Sequence, residues 1–280
     1  MIYLIIIISL FFLSCSEEEN PIIQEDEGIS WDLISGKLAY VRQDILYIVD
    51  GDSGTVKSLG STNLTNLKWN KPLGQITGIR YTDNSTYSLE GFELNGNRTI
   101  IKEGLSTKYY DWLPDGRLVT ISKDGKVMID DIALSIQPIV TFFGLGCSPD
   151  GKKIVVSTDN ILENILLEIE INTLSQRIVK RSSNLLEPNF LQPVYSSESD
   201  KVFYVTVTHE FIGEGTYYSL WSDIKLESGK DPCRSDNPQK IFFTKLIGYR
   251  AGLDGIYLIN IEYGELIEII NYAHSPVWIY

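Results

Sequence analysis

Only two histidines are present among the 280 residues, His209 and His274, and histidine is the usual general base at neutral pH. Neither lies near a Gly-x-Ser-x-Gly segment, which the sequence lacks. A metal site would need several carboxylates beside these two histidines, because no Cys-x-x-Cys pair exists. The sequence therefore predicts no catalytic residue, no metal and no cofactor.

A binding site is better supported than a catalytic one. Aromatic rings supply contact area and polar groups orient a ligand, and binding sites typically combine the two. Residues of both kinds occur where predicted strands meet loops, and we expect them to form one ligand-binding face: His209, Glu210, Phe211, Tyr109, Tyr110, Asp111 and His274. The expected partner is a protein or a carbohydrate. The alternative is that Phe211 packs back onto its own strands and the histidines are solvated.

An apolar run, a small residue and a cysteine open the chain. Met1 to Leu13 is shorter than the ~20 residues that cross a bilayer, but it matches the apolar core of a secretory signal. The segment Phe12-Leu13-Ser14-Cys15 resembles the lipobox of bacterial lipoproteins, in which the cysteine carries the lipid. We therefore expect a lipoprotein signal peptide over residues 1–15 with lipidation at Cys15. A plain secretory signal is the alternative.

Acidic residues follow this cysteine directly. Residues 16–28 include no Lys or Arg, and their composition predicts a flexible tether. The segment Ser16-Glu17-Glu18-Glu19 is similar to the export signal of Bacteroidetes lipoproteins displayed on the outer surface. This resemblance implies an outer membrane lipoprotein that meets the membrane through its N-terminal lipid and is exposed on the cell surface. A periplasm-facing anchor is the alternative.

Composition places residues 29–280 in one strand-rich domain. The chain is 43% hydrophobic and 22% charged, as globular proteins are, and its 11% aromatic content favours strands over helices. The formal net charge is -13. Nucleic acid is not an expected partner, because affinity for phosphate comes mainly from Lys and Arg.

Two patterns recur within this domain. A Pro-Asp-Gly turn occurs at residues 114–116 and again at 149–151, where Pro presets φ and Gly accepts a positive φ. Trp69, Trp112, Cys147 and Tyr195 occupy comparable places at spacings of 43, 35 and 48 residues, and Trp278 follows 83 residues later, which is two units. The mean spacing is close to the ~40–45 residues of a four-stranded propeller blade.

These repeats resemble those of TolB-type β-propellers, most clearly at Ser148-Pro149-Asp150-Gly151-Lys152-Lys153-Ile154. The resemblance implies an all-β fold, a six-bladed β-propeller with four-stranded antiparallel blades; seven blades are the alternative. It carries the fold and not the TolB activity, because one fold hosts many functions. The segment from His274 to Tyr280 resembles a first strand without successors, so we expect it to complete the blade that begins at Lys37. Otherwise Ile29-Ser30-Trp31 supplies that strand.

Two stretches of the fifth blade are expected to be irregular, Thr208 to Gly215 and Glu227 to Pro238. Cys233 falls in the second stretch, within a polar loop, whereas Cys147 falls in an apolar strand. Two unpaired thiols are therefore favoured over a disulfide.

The fold also predicts which loops share a face. The chain crosses each blade up and down, so connections between blades lie on the face opposite the Pro-Asp-Gly turns, and the candidate ligand-binding residues lie at such connections. The sequence thus predicts a lipid-anchored cell-envelope propeller that acts as a binding or scaffolding module. The alternative, less favoured, is a glycan- or peptide-processing enzyme with its site at the propeller channel.

Overall fold

The computed structural model describes residues 33–34, 36–82, 85–137, 139, 141–160, 163–182, 190–209, 216–222, 225–245, 254–270 and 272–280. The expected signal peptide and tether, including Cys15, lie outside these ranges. Within them the chain is all-β, and no helix with the length and apolarity to cross a membrane is found there.

The described strands form six antiparallel sheets of four strands each, arranged as the blades of a propeller. From inner to outer strand, blades one to three are β24 (His274–Ile279), β1 (Lys37–Arg42), β2 (Ile45–Asp50), β3 (Thr55–Ser61); β4 (Thr65–Asn70), β5 (Gln75–Tyr81), β6 (Tyr87–Glu93), β7 (Arg98–Leu105); and β8 (Tyr110–Trp112), β9 (Leu118–Ile121), β10 (Val127–Ile129), β11 (Ile132–Ala133). In the same order, blades four to six are β12 (Thr141–Cys147), β13 (Lys153–Asn160), β14 (Glu163–Glu170), β15 (Gln176–Ser182); β16 (Phe190–Tyr195), β17 (Val202–His209), β18 (Thr216–Trp221), β19 (Lys225–Glu227); and β20 (Gly229–Arg234), β21 (Lys240–Lys245), β22 (Gly255–Asn260), β23 (Leu266–Ile270). The predicted six-bladed β-propeller with four-stranded blades is confirmed.

The last strand of the chain closes the ring. β24 pairs antiparallel with β1, with Leu38 opposite Trp278 and Ala39 opposite Val277. The buried Trp278 ring also stacks on Phe242 of the sixth blade, with 5.5 Å between the ring centroids. This strand therefore joins the first blade to the sixth, as the sequence predicts.

Blades pack on one another through apolar side chains that alternate along the strands. One cluster joins the first and sixth blades and includes Leu38, Tyr40, Ile256 and Leu258. Similar clusters join the other neighbours, so the core is a ring of layers between blades rather than one central core.

The two faces of the propeller carry different loops. The turn face carries the turns between the first and second strands of the blades, such as residues 113–117 and 148–152. The junction face carries the connections between blades, such as residues 62–64 and 106–109, and the turns between second and third strands, such as residues 122–126. Turns between third and fourth strands, such as residues 51–54 and 261–265, lie on the turn face. Gly116 and Gly151 have φ values of 89° and 72°, as expected for Pro-Asp-Gly turns, and Ser199 adopts 63° in the degraded copy of the turn.

One prediction about the fifth blade is wrong. Half of the stretch expected to be irregular from Glu227 to Pro238 is β20, the inner strand of the sixth blade. Asp231 and Pro232 resemble loop residues in the sequence, but they form a bulge in that strand, where Asp231 has a φ of 51°. Cys233 therefore lies in a strand, and neither Cys147 nor Cys233 is in a disulfide.

Ring closure can be tested at Trp278. Trp278→Ala removes a buried ring shared by two blades and should lower the free energy of unfolding by about 3–5 kcal/mol, measured by chemical denaturation. The lower end is expected, because the buried Nε1 of Trp278 has no hydrogen-bond partner among the described residues. The control Tyr263→Ala alters a side chain that is 75% exposed and should change stability by less than about 0.5 kcal/mol. Equal stability of the two variants would contradict closure by β24.

Candidate functional site

The junction-face end of the central channel opens into a cavity of about 450 Å³, which we call the mouth cavity. Every blade contributes to its wall from its inner strand or from the connection just before it. One residue from each blade illustrates this arrangement: Ser275, Asn66, Lys108, Gly144, Gln192 and Asp231. A cavity shared by six blades exists only when the ring is closed.

Bulges in the inner strands place polar side chains at this cavity. Asn66, Gln192, Asp231 and Ser275 have φ values of 54°, 48°, 51° and 54°, and each lies where the pairing of an inner strand with its neighbour shifts register. A residue in the left-handed region turns the strand locally, and a bulge changes the direction of its side chain. The same local distortion therefore recurs in four blades with four different polar residues.

Hydrogen bonds between blades hold these residues in place. The Asn66 amide donates from Nδ2 to the carbonyl oxygen of Lys108 at 3.1 Å. The Gln192 amide donates from Nε2 to Oδ1 of Asp231 at 2.8 Å, and its Oε1 accepts from the Asp231 backbone N–H at 2.9 Å. Oγ1 of Thr244 donates to Oδ2 of Asp231 and accepts the backbone N–H of Ser275. The wall of the mouth cavity is thus linked across three blade junctions, and the Thr244–Asp231 bond adds a link between β20 and β21 within the sixth blade.

Three lysines line the mouth cavity, in a chain whose net charge is negative. The Lys68 ammonium lies 3.8 Å from the carboxylate of Asp111, and the Lys230 ammonium lies 3.5 Å from that of Asp254. Lys108 is exposed and pairs with no carboxylate among the described residues; its Nζ lies 5.6 Å from the centroid of the Tyr109 ring. Of the three lysines in this described wall, Lys108 is therefore the one that is available to an incoming anion.

Aromatic rings continue outward from Tyr109 over the junction face. Tyr109 meets Phe142 edge to face at a centroid distance of 5.6 Å. Burial raises the pKa of Tyr109, and the nearby Tyr87 raises it further. Tyr87 in turn meets Tyr81 edge to face at 5.6 Å, and Tyr81 is 62% exposed. We call Tyr81, Tyr87, Tyr109 and Phe142 the aromatic row.

The structure separates the candidate ligand-binding residues predicted from the sequence. Tyr109 and His274 line the mouth cavity, and Nδ1 of His274 lies 3.0 Å from Oγ of Ser275. His209 is the last residue of β17, but its side chain, Glu210 and Phe211 lie outside the described residues.

Tyr110 and Asp111 have structural environments. Tyr110 is fully buried, and its hydroxyl contacts Oγ1 of Thr77 at 3.1 Å and donates to the Asn66 carbonyl at 3.0 Å. Burial raises the pKa of this hydroxyl well above its ordinary value. Tyr110 therefore belongs to the core and does not reach the face on which the sequence placed it. Asp111 accepts the backbone N–H of Cys147 at 2.8 Å and lies deeper in the channel.

The turn-face end of the channel is much narrower. A cavity of about 60 Å³ there is lined by residues that include Asp111, Cys147, Cys233 and Tyr280. The Tyr280 ring lies 5.2 Å from both the Lys71 ammonium and the Arg234 guanidinium, and its hydroxyl accepts from Arg234 at 2.6 Å. No group of three His, Cys, Asp or Glu residues in the described ranges is placed to hold a metal ion.

Known structures share this architecture. TolB from Acinetobacter baumannii superimposes with a TM-score of 0.65 at 15% identity, over 87% of this chain and 66% of that one. A chain of the nidogen/laminin complex gives 0.60 at 10% identity, over 86% of this chain and 98% of that one. The fold is that of a TolB-like propeller. No protein-family model and no curated protein matches the sequence.

Sequence reasoning missed most of the residues that line the mouth cavity, including Lys68, Lys108 and Gln192. A signal for some of them was present in the sequence. The segments Gln192-Pro193, Asp231-Pro232 and Ser275-Pro276 repeat a polar residue followed by proline, and each pair lies in an inner strand. An alignment of the blade repeats on this polar residue and the proline after it would have identified β20 and the polar residue of each of these three bulges.

The burial of Cys147 and Cys233 in the channel predicts that their thiols react slowly. Burial raises the pKa of Cys147 well above its ordinary value and that of Cys233 to about 11, although the Trp278 N–H that Cys233 accepts acts in the opposite direction. Both thiols should be protonated at pH 8, and only the thiolate is nucleophilic. In a Cys15→Ala chain, iodoacetamide should label the native protein at least about tenfold more slowly than the denatured protein, followed by mass spectrometry. Rapid native labelling of Cys233 would contradict this environment.

Proposed function

We propose that this chain is a binding module that takes its ligand at the mouth cavity. The observation that carries the proposal is the convergence of all six blades on one open cavity of about 450 Å³. Ligand sites are typically concave, largely preformed and lined by apolar surface with a few placed polar groups. Here Leu67 and Pro276 supply apolar surface, and Asn66, Gln192 and Lys108 supply polar groups.

Binding is favoured over catalysis by the arrangement of the histidine at the mouth. His274 and Ser275 are within hydrogen-bonding distance, as a base and a nucleophile would be. Such a pair also needs a third group that orients the imidazole and donors that stabilise an oxyanion. Among the described residues no contact orients the other ring nitrogen of His274. A glycan- or peptide-processing enzyme is therefore the less supported function.

The module is held at the cell envelope by a lipid on Cys15, through the acidic tether of residues 16–28. The motif Phe12-Leu13-Ser14-Cys15 and the acids behind it support this proposal. The fold adds an orientation. Ile34 packs against the turn at Gly51, and β1 starts at Lys37 beside the end of β24, so the tether would join the propeller at the turn face. The mouth cavity would then point away from the membrane, on the outer cell surface.

Anchoring is tested at Cys15. Cys15→Ala should move the protein from the membrane pellet to the soluble fraction and abolish incorporation of a labelled fatty acid, because stable anchoring needs the acyl chains. Ser16→Ala, at the neighbouring position, should keep both properties. Retention of the Cys15→Ala protein in the pellet would contradict a lipid anchor at this residue. Protease treatment of intact cells tests surface exposure separately.

The position of the binding site is tested by filling the mouth cavity. Thr65 is exposed at its wall, and Thr65→Trp adds a bulky ring there without changing a buried residue. On glycan and peptide arrays, ligands that bind the wild type should lose at least about tenfold in affinity for this variant. Lys123→Trp adds the same ring at an exposed turn of the junction face, outside the cavity, and should bind as the wild type does. Unchanged binding by Thr65→Trp would rule out the mouth cavity as the site.

A further inference from the structure

The aromatic row and the mouth cavity share one residue on the junction face. Tyr109 belongs to both, because it lines the cavity and contacts Phe142. Tyr81 is the exposed end of the row. A ligand that enters the cavity at Lys108 and extends over the junction face therefore meets aromatic rings immediately outside.

The charge at the boundary of these two regions is positive. Lys68 and Lys230 each have a carboxylate within 3.8 Å, whereas Lys108 faces solvent beside the Tyr109 ring. Asp231 also lines the cavity, but its carboxylate already accepts hydrogen bonds from Gln192 and Thr244. An anionic group of a ligand would form an ion pair with Lys108, and an uncharged face of the same ligand would pack on Tyr81 and Tyr87.

We propose that the ligand of the mouth cavity is an acidic glycan, whose uronate carboxylate pairs with Lys108 while neighbouring sugar rings stack on the aromatic row. This inference rests on the proposed function of the cavity. The C–H face of a pyranose carries a partial positive charge, which suits the negative face of an aromatic ring. A carboxylate suits an ammonium group such as that of Lys108, which has no carboxylate partner in the described part of the chain.

The polar groups of the cavity fit a hydroxyl-rich ligand. Ser275 and Asn66 carry a hydroxyl and an amide group that donate and accept hydrogen bonds, as sugar hydroxyls do, whereas the Gln192 amide is already bonded to Asp231. The described hydrogen bond of the Asn66 side chain at this position uses its Nδ2 atom and leaves the Oδ1 acceptor for a ligand hydroxyl.

An extended peptide is a poorer fit to the same wall. A peptide strand gains affinity by pairing with a regular strand edge. The inner strands are interrupted at this depth by the left-handed residues Asn66, Gln192, Asp231 and Ser275, so four of the six present no regular ladder. Compact ligands with many hydroxyl groups do not need that ladder.

The test uses oligosaccharides of glucuronate and of mannuronate, the same oligosaccharides after reduction of their carboxyl groups, and an acidic hexapeptide. Affinities are measured by calorimetry with the lipid-free Cys15→Ala chain. At least one uronate oligosaccharide should bind, and carboxyl reduction should weaken it by about tenfold. Lys108→Ala should lower the affinity for the acidic oligosaccharide by a similar factor and leave the affinity for the reduced oligosaccharide unchanged. Tyr81→Ala should lower the affinity for both the acidic and the reduced oligosaccharide by about fivefold.

Matched controls separate these effects from general ones. Lys123→Ala removes an exposed lysine of the same face outside the cavity, and Tyr263→Ala removes an exposed tyrosine of the opposite face; both should bind as the wild type does. Uronate binding that is unaffected by Lys108→Ala, or an acidic hexapeptide that binds more tightly than every uronate, would overturn the proposal. If no uronate binds but Thr65→Trp abolishes binding of an array ligand, the proposal of an acidic glycan is wrong and the proposal that the mouth cavity is the binding site is retained. If Thr65→Trp leaves every ligand bound, the proposed function itself fails.

Discussion

The pairing of β24 with β1 is the interaction on which the rest of the structure depends. A blade is a four-stranded sheet with apolar faces, and each face needs a neighbour to be buried. Six blades in a ring satisfy all faces only if the first and last blades meet, and the strand that makes this contact comes from the other end of the chain. Closure therefore turns six local sheets into one cooperative unit and creates the channel at their centre.

The geometry at the axis follows from that closure. Six inner strands must converge around a narrow channel, and Gly146, below the mouth cavity, shows how close they come: a Cβ there would lie 2.3 Å from the carbonyl oxygen of Pro193 in the neighbouring blade. At the junction face the strands instead separate through bulges, whose left-handed residues hold polar side chains at the mouth. Tight packing at one depth and polar bulges at another produce a cavity with a fixed wall.

The same physics explains how much could be predicted from the sequence. Pro-Asp-Gly turns and regular strands are local features, so the blades around residues 113–122 and 148–157 could be identified directly, and ring closure followed from the unfinished strand at Trp278. The mouth cavity is not local. Asn66 bonds to Lys108, 42 residues away, and Gln192 to Asp231, 39 residues away. Tyr110 illustrates the converse: it lies next to the lining residue Tyr109, but strand alternation turns it into the core, where its hydroxyl contacts Thr77.

The two ends of the channel differ in size and in the residues that line them. At the turn face, Tyr280 lies between Lys71 and Arg234, and the space behind it is about 60 Å³, large enough for little more than water. At the junction face the channel opens to about 450 Å³ beside an exposed lysine and the aromatic row. Among the described residues, only the junction-face end of the channel has room for a ligand, and the proposed N-terminal attachment would lie at the opposite face. The position of the wide end of the channel and the position of the N-terminal attachment both follow from where the strands start and end. The topology that closes the ring would therefore also separate the anchored face from the binding face.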